Sequence, residues 1–493
     1  MPLKLVSIYF FAASFWLCAC NMEARDNRRH APALGTETAP NIIYILVDDL
    51  GYGDLGCYGQ QEIPTPNLDR MAAEGIRFTQ HYAGSTVCAP SRGSLMTGMH
   101  TGHGRVRGNY ETGPFGFGGE LELRPEDISI AEVLGRAGYR TGLVGKWGLG
   151  MNGTTGEPNE KGFDHYFGFL NQAHAHWQFP EYLYRNGEIV RIKGNENGQR
   201  GAYTNDLFTA EALEFIQQSH EKPFFLYVAY TTPHAELLVP EDSLFASIKG
   251  KYEEKPFVAN GQGGNKKGFG TYASQSHPKA AYETMVRRID LDVQRILDQL
   301  AAMGMDENTL VMFSSDNGPH REGGAHPDLF NSNGPLRGMK RDLYEGGIRV
   351  PFIVRWPGKI EAGKTSDHIS AFWDVLPTLA EVAEVDISNL ELDGLSFFST
   401  LTGQTQAQHP YLYWEFHEAK YTHQAIREGA WKAVRLDPAG EVELYNLEQD
   451  PGESRNLAAQ HPEVAKRLGE MMDNTHRHHE LWELESSAGT GGR

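Results

Sequence analysis

The chain has 493 residues, 40% hydrophobic and 22% charged, which is enough for a large buried core and two domains. Its 64 acidic residues outnumber 45 basic ones for a formal net charge of -19, which argues against nucleic acid or an anionic membrane surface as a partner. An anionic substrate would therefore have to meet a local cluster of Lys, Arg, His or metal-binding residues.

No internal repeat or low-complexity tract interrupts the sequence. After Lys4 an apolar run extends to Ala19, too short for a comfortable membrane span but suited to a secretory signal over residues 1–19. Leu17-Cys18-Ala19-Cys20 resembles a bacterial lipobox, so cleavage before Cys20 and lipidation of Cys20 are expected. Residues 20–38, polar with Arg25, Arg28 and Arg29, read as a tether. The expectation is an exported periplasmic or cell-surface lipoprotein that touches membrane only through its anchor. Cys57 and Cys88 are then left in the folded part. A disulfide between them is one reading, and a lone buried thiol at Cys57 is the other.

Asn41-Ile-Ile-Tyr-Ile-Leu-Val47 reads as a central strand buried on both faces, ending in Asp48-Asp49. Adjacent carboxylates at a strand end repel unless a cation lies between them. Residues 65–75 follow as helix and 77–83 as strand. The spacing then predicts helix over 128–137, strand over 139–145 delivering Lys146, helix over 205–218, strand over 224–230, helix over 279–303 and strand over 309–315. This alternation is the pattern of an α/β fold whose large, mainly parallel sheet is flanked by helices and binds ligands at the strands' carboxyl ends. Asp316-Asn317-Gly318 repeats the arrangement of Asp48-Asp49. Together these residues make an all-oxygen donor set suited to Ca²⁺ or Mg²⁺ rather than Zn²⁺. The catalytic domain is expected over residues 39–390. Residues 391–493 are expected to form a C-terminal α+β subdomain, a small antiparallel sheet from about Tyr411 with a last helix near 462–472.

Cys88-Ala-Pro-Ser-Arg-Gly-Ser-Leu-Met-Thr-Gly98 places a thiol, a first-turn proline and an arginine four residues on at the start of a helix. The N–H groups there, with Arg92, make an anion site containing sulfur. This motif resembles the signature of the type I sulfatases of the alkaline-phosphatase-like superfamily, and the resemblance extends over most of the chain, towards bacterial carbohydrate sulfatases. It implies that Cys88 becomes Cα-formylglycine through a formylglycine-generating enzyme, its hydrated aldehyde attacking sulfur with one hydroxyl and expelling sulfate with the other. It also implies Ca²⁺, rather than Mg²⁺, on Asp48, Asp49, Asp316 and Asn317. Arg92 and Lys146 would hold the formylglycine and sulfate. His234 with Lys340, in Leu336-Arg-Gly-Met-Lys340-Arg341, would face the leaving oxygen.

The chain departs from the family at Gly145-Lys-Trp-Gly148, where many members carry a histidine at the last position. His174 and His176 in Asn171-Gln-Ala-His-Ala-His176 are the nearby candidates for substrate contact or compensation, while His417 and His423 are candidates from the C-terminal domain. The resemblance of the glycine form and of the Ala-His-Ala-His loop implies galactose or N-acetylgalactosamine sulfated at O4. Two rival readings are a phosphate or phosphonate monoester hydrolase of the same superfamily and a non-catalytic lipoprotein that binds sulfated glycans.

Overall fold

In the computed structural model, Asn41–Asp48 forms strand β1, buried along its whole length. Described are residues 39–109, 111–112, 119–219, 221–259, 272–418 and 421–484; the expected signal, tether and Cys20 lie outside them. In chain order the other strands of the large sheet are β2 (Ile76–Phe78), β3 (Arg140–Lys146), β4 (His165–Phe169), β5 (Tyr182–Arg185), β6 (Glu188–Arg191), β7 (Phe224–Pro233), β8 (Thr309–Ser315), β9 (Phe352–Arg355) and β10 (Lys364–Ser366). Across the ten-stranded sheet the order is β10-β2-β9-β8-β1-β7-β3-β4-β5-β6.

Only the centre, β8-β1-β7-β3-β4, is continuously parallel. β9 runs antiparallel to β8 and β2, and the β5–β6 hairpin is antiparallel to β4, so the sheet is mixed at its margins. Central strands must be apolar on both faces because helices cover both. β1 shows this directly, since Ile42, Tyr44 and Leu46 enter one core while Ile43, Ile45 and Val47 enter another. The main helices are α1 (Pro66–Ala73), α2 (Cys88–Thr97), α3 (Ile130–Arg136), α4 (Thr204–Gln217), α5 (Pro278–Ala302), α6 (Val375–Val382) and α7 (Pro462–Thr475). Leu95 of α2, Leu134 of α3 and Leu379 of α6 fill the first core, and Phe208 of α4 with Ile289 and Val293 of α5 fill the second.

A four-stranded antiparallel sheet follows: β11 (Leu412–Glu418), β12 (Tyr421–Glu428), β13 (Trp431–Arg435) and β14 (Glu443–Asn446). Leu468 and Met472 of α7 cover one face, packing on Tyr413, Ile426 and Leu444. Trp414 and Phe416 of the other face pack into a cluster with Tyr82, Trp373 and Val87, the residue that precedes Cys88. The small sheet therefore buttresses the start of α2.

Candidate active site

Cys88 opens α2, with extended Val87 before it and Pro90 in the first turn, where a missing N–H costs nothing. Gly98 ends the helix at φ 70, a conformation that favours glycine. The Cys88 thiol lies 3.3 Å from Asp48 Oδ1, and Lys146 Nζ, at the last position of β3, donates to Asp48 Oδ2 at 2.6 Å. One turn after Cys88, Arg92 donates from Nε at 3.1 Å and Nη2 at 2.8 Å to Asp316 Oδ2, and from Nη1 to the Lys146 carbonyl at 3.0 Å. The strand ends and α2 thus converge on one point.

Neighbouring residues of a strand point to opposite faces. Asp49 escapes that alternation by leaving the β region for φ 66. Its N–H then donates to Asp316 Oδ1 at 3.1 Å, and its carboxylate accepts from Lys340 Nζ at 2.8 Å and from Asn317 Nδ2 at 2.6 Å. Asn317 Nδ2 also donates to the Gly318 carbonyl, while Asn317 Oδ1 is buried with no hydrogen-bond partner. Asp48 and Asp49, with Cys88 and His234, present ligand atoms close enough to hold an ion. Asp316 and Asn317, each tied by a hydrogen bond to Asp49, add a carboxylate and the unanswered amide oxygen to complete an oxygen-rich set that fits a hard divalent cation.

Burial alone would raise the Asp48 carboxyl, but the Lys146 ammonium and the Arg92 guanidinium outweigh it and hold the group well below the usual carboxylate range. Asp316 goes the other way. Burial and the Asp48 charge push it up to about 7 despite Arg92. Burial, then Asp48, also pushes the Cys88 thiol well above its ordinary value, so the unmodified side chain is a poor nucleophile at neutral pH. Burial and the Lys340 ammonium hold His234 well below its usual range. Its Nδ1 donates to the Ala235 carbonyl, which leaves Nε2 facing Asp49 Oδ2 at 3.3 Å.

Of the two loop histidines, His176 reaches this cluster, stacked on His234 with ring centroids 4.6 Å apart. His174 does not. It packs edge-on to Phe169 and against Tyr182, and burial lowers it to about 3. His417 belongs to another cluster, donating from Nε2 to Glu415 Oε1 at 3.0 Å, and His423 packs on Phe416. Cys57 and Cys88 are both free, and Cys57 is half-buried rather than enclosed.

The sequence reading missed Glu322, which accepts from Tyr272 Oη at 2.9 Å and Arg341 Nη1 at 2.7 Å and lies 3.5 Å from His234 Nε2 and 3.6 Å from Lys340 Nζ. Against the cost of burial, Lys340 and Arg341 hold it far below the carboxylate range. The signal available was its place six residues after Asp316.

The sulfatase family profile matches residues 40–385, and that of the N-sulphoglucosamine sulphohydrolase C-terminal region matches 339–478. An N-acetylgalactosamine-6-O-sulfatase of Bacteroides thetaiotaomicron is 29% identical over 93% of this chain and 96% of its own. Human arylsulfatase A is 31% identical over 90% of this chain and 88% of its own. Among solved structures, Ps i-CgsB superposes with a TM-score of 0.76 at 28% identity, covering 92% of this chain and 96% of that one.

Proposed function

The chain belongs to the sulfatase family and is a sulfuric ester hydrolase, and from that premise we propose that it removes sulfate from a sulfated sugar using formylglycine at position 88 and Ca²⁺ on Asp48, Asp49, Asp316 and Asn317. The O4 position expected from sequence is not carried forward, because the bacterial relative's name places the sulfate at O6 of N-acetylgalactosamine. N-acetylgalactosamine 6-sulfate is accordingly the first substrate to test.

Asp48 carries the reading. One of its oxygens meets Cys88 and the other Lys146, within a donor set that ends in the unpartnered Asn317 Oδ1. When present, calcium would supply Lewis acidity toward a sulfate oxygen, and the hydrated aldehyde would supply an oxygen nucleophile that the raised Cys88 thiol does not. The chain's own groups do the rest. Arg92 fixes the Asp316 carboxylate and the end of β3 together, so a shift of one moves the other. Lys146 brings positive charge to the bound sulfate. Lys340 donates a proton to the departing sugar oxygen, and the hydroxyl so formed donates to the unprotonated Nε2 of neutral His234. Glu322, bonded by Tyr272 and Arg341, keeps Lys340 cationic and in place. Export and lipidation at Cys20 are part of the proposal, and loss of membrane association in Cys20→Ala would support them.

The test is expression with and without a formylglycine-generating enzyme. Active protein should carry a residue-88 peptide that has lost H₂S and gained one oxygen atom, the change from thiol to aldehyde, and should cleave sulfate esters faster than phosphate esters. Full activity of protein holding only unmodified cysteine would reject the nucleophile, and full activity after exhaustive chelation would reject the metal.

A further inference from the structure

Gly148 lies two positions after Lys146, with its backbone in the left-handed region at φ 78. A Cβ there would fall 1.8 Å from Nε2 and 2.7 Å from Cδ of Gln172, so the glutamine amide fills the space in which a side chain at position 148 would begin. Gln172 is only 7% exposed, yet neither its Nε2 nor its Oε1 has a hydrogen-bond partner. Leaving a buried amide unanswered costs on the order of 1–3 kcal/mol for each group.

Nothing about the surrounding loop makes that cost unavoidable, because its backbone is well tied. Gln172 N–H donates to Glu120 Oε1, Ala175 N–H to the Asn171 carbonyl at 3.1 Å, and Glu236 N–H to the His176 carbonyl at 3.2 Å. With His176 stacked on His234, the loop reaches from Gly148 beyond β3 to His234 beyond β7, the two strand ends that border the Asp48 cluster. An amide kept there without a protein partner is placed for a ligand.

Resting on the sulfate-ester reading above, we infer that Gln172 is a substrate-contacting residue of this enzyme. A sulfate group offers only acceptors, so Nε2–H donates to one of its oxygens, and Oε1 is left to accept from a sugar hydroxyl. Gly148 and Gln172 form a pair, since the absence of a side chain at one position makes room for the amide of the other.

The probe is inorganic sulfate, titrated calorimetrically into the full chain in calcium-containing buffer, with KM for 4-nitrophenyl sulfate and Tm measured alongside. Gln172→Met keeps length and removes the amide. It should weaken sulfate binding and raise KM by about fivefold or more while Tm stays level or rises, because an unanswered buried polar group has gone. Gly148→Ala, whose Cβ displaces the amide with its chemistry intact, should produce the same loss, and the double variant should add little to either. A change below about fivefold in Gln172→Met, or weakened binding accompanied by a lower Tm, would overturn the inference. Wild-type protein that binds sulfate yet cleaves no sulfate ester would fault the proposed chemistry instead, leaving the Gln172 comparison readable.

Discussion

At the ends of β1, β3 and β8, Asp48, Asp49 and Asp316 face Arg92, Lys146 and Lys340 and leave Asn317 Oδ1 without a partner. Beneath the C-terminal sheet, by contrast, Glu415 gathers every donor it can take. Arg107 Nη1 at 2.7 Å and His417 at 3.0 Å bond one oxygen, and Tyr413 and His476, each at 2.9 Å, bond the other. Both clusters are buried and both are rich in ionisable groups. Charge density therefore does not separate these two clusters, whereas the amide oxygen left unanswered in the first does. Glu415 joins the loop before residue 107, the small sheet and the segment after α7, and its closed bonding leaves nothing for a ligand.

The comparison can be broken most sharply at Asp316. Asp316→Asn should lower turnover of a sulfate ester by about 10³-fold or more, since it removes a charge from the proposed metal site and from the Arg92 pair. In chelator the same variant leaves Arg92 buried beside a neutral amide, but Asp48 stays 3.7 Å from that guanidinium and one of three crowded carboxylates loses its charge, so its melting temperature should fall less than that of a variant at Glu415. A drop as large as that of Glu415→Gln would put Asp316 on the structural side of the comparison.

Lys340→Ala should cost about 10²–10⁴-fold in kcat, the usual worth of a positioned proton donor, with steady-state kinetics as the readout. At Glu415 the signs exchange. Glu415→Gln leaves Arg107 buried beside a neutral amide and should destabilise by roughly 3–5 kcal/mol, seen in denaturant unfolding, with kcat at a permissive temperature changed by no more than about twofold. The smallest effect is its pH dependence. Burial raises the Glu415 carboxyl, but His417, His476 and Arg107 outweigh it and hold the group below its unfolded value. Its contribution is therefore full above the unfolded pKa of about 4.3 and is lost as pH falls through the folded value. The wild-type advantage in Tm over Glu415→Gln should stay level near neutrality and narrow below about pH 4.

Much of the parallel centre was legible because β1, β7 and β8 are runs of apolar residues that only a doubly covered strand requires. Cys88 and the helix it opens were legible for a local reason, with proline and glycine marking the two ends. The β5–β6 hairpin was overlooked although Asn186-Gly187, at φ 46 and 83, is a strong two-residue turn signal; its flanking strands are half polar and show little alternation. Gln172 and Glu415 gave no local signal, and Glu322 gave only its place six residues after Asp316. Each acquires its meaning from partners far away in sequence, as Glu415 does from Arg107 and His476, and neither periodicity nor spacing carries that information. His174 and His176 were indistinguishable in sequence, and a short 3₁₀ turn sends one into an aromatic core and the other to the site.

Cys88 is 2% exposed, and every residue of α2 is buried with it. On the proposed chemistry that enclosure sets a deadline. An oxidising enzyme has to reach a thiol that the packed helix and its surroundings no longer expose, so maturation and folding run as a race. A chain that folds before it is oxidised would gain all of its stability and none of its nucleophile. The fraction of working molecules would then be decided by the order of two events, and no later correction within the native state would restore those that folded first.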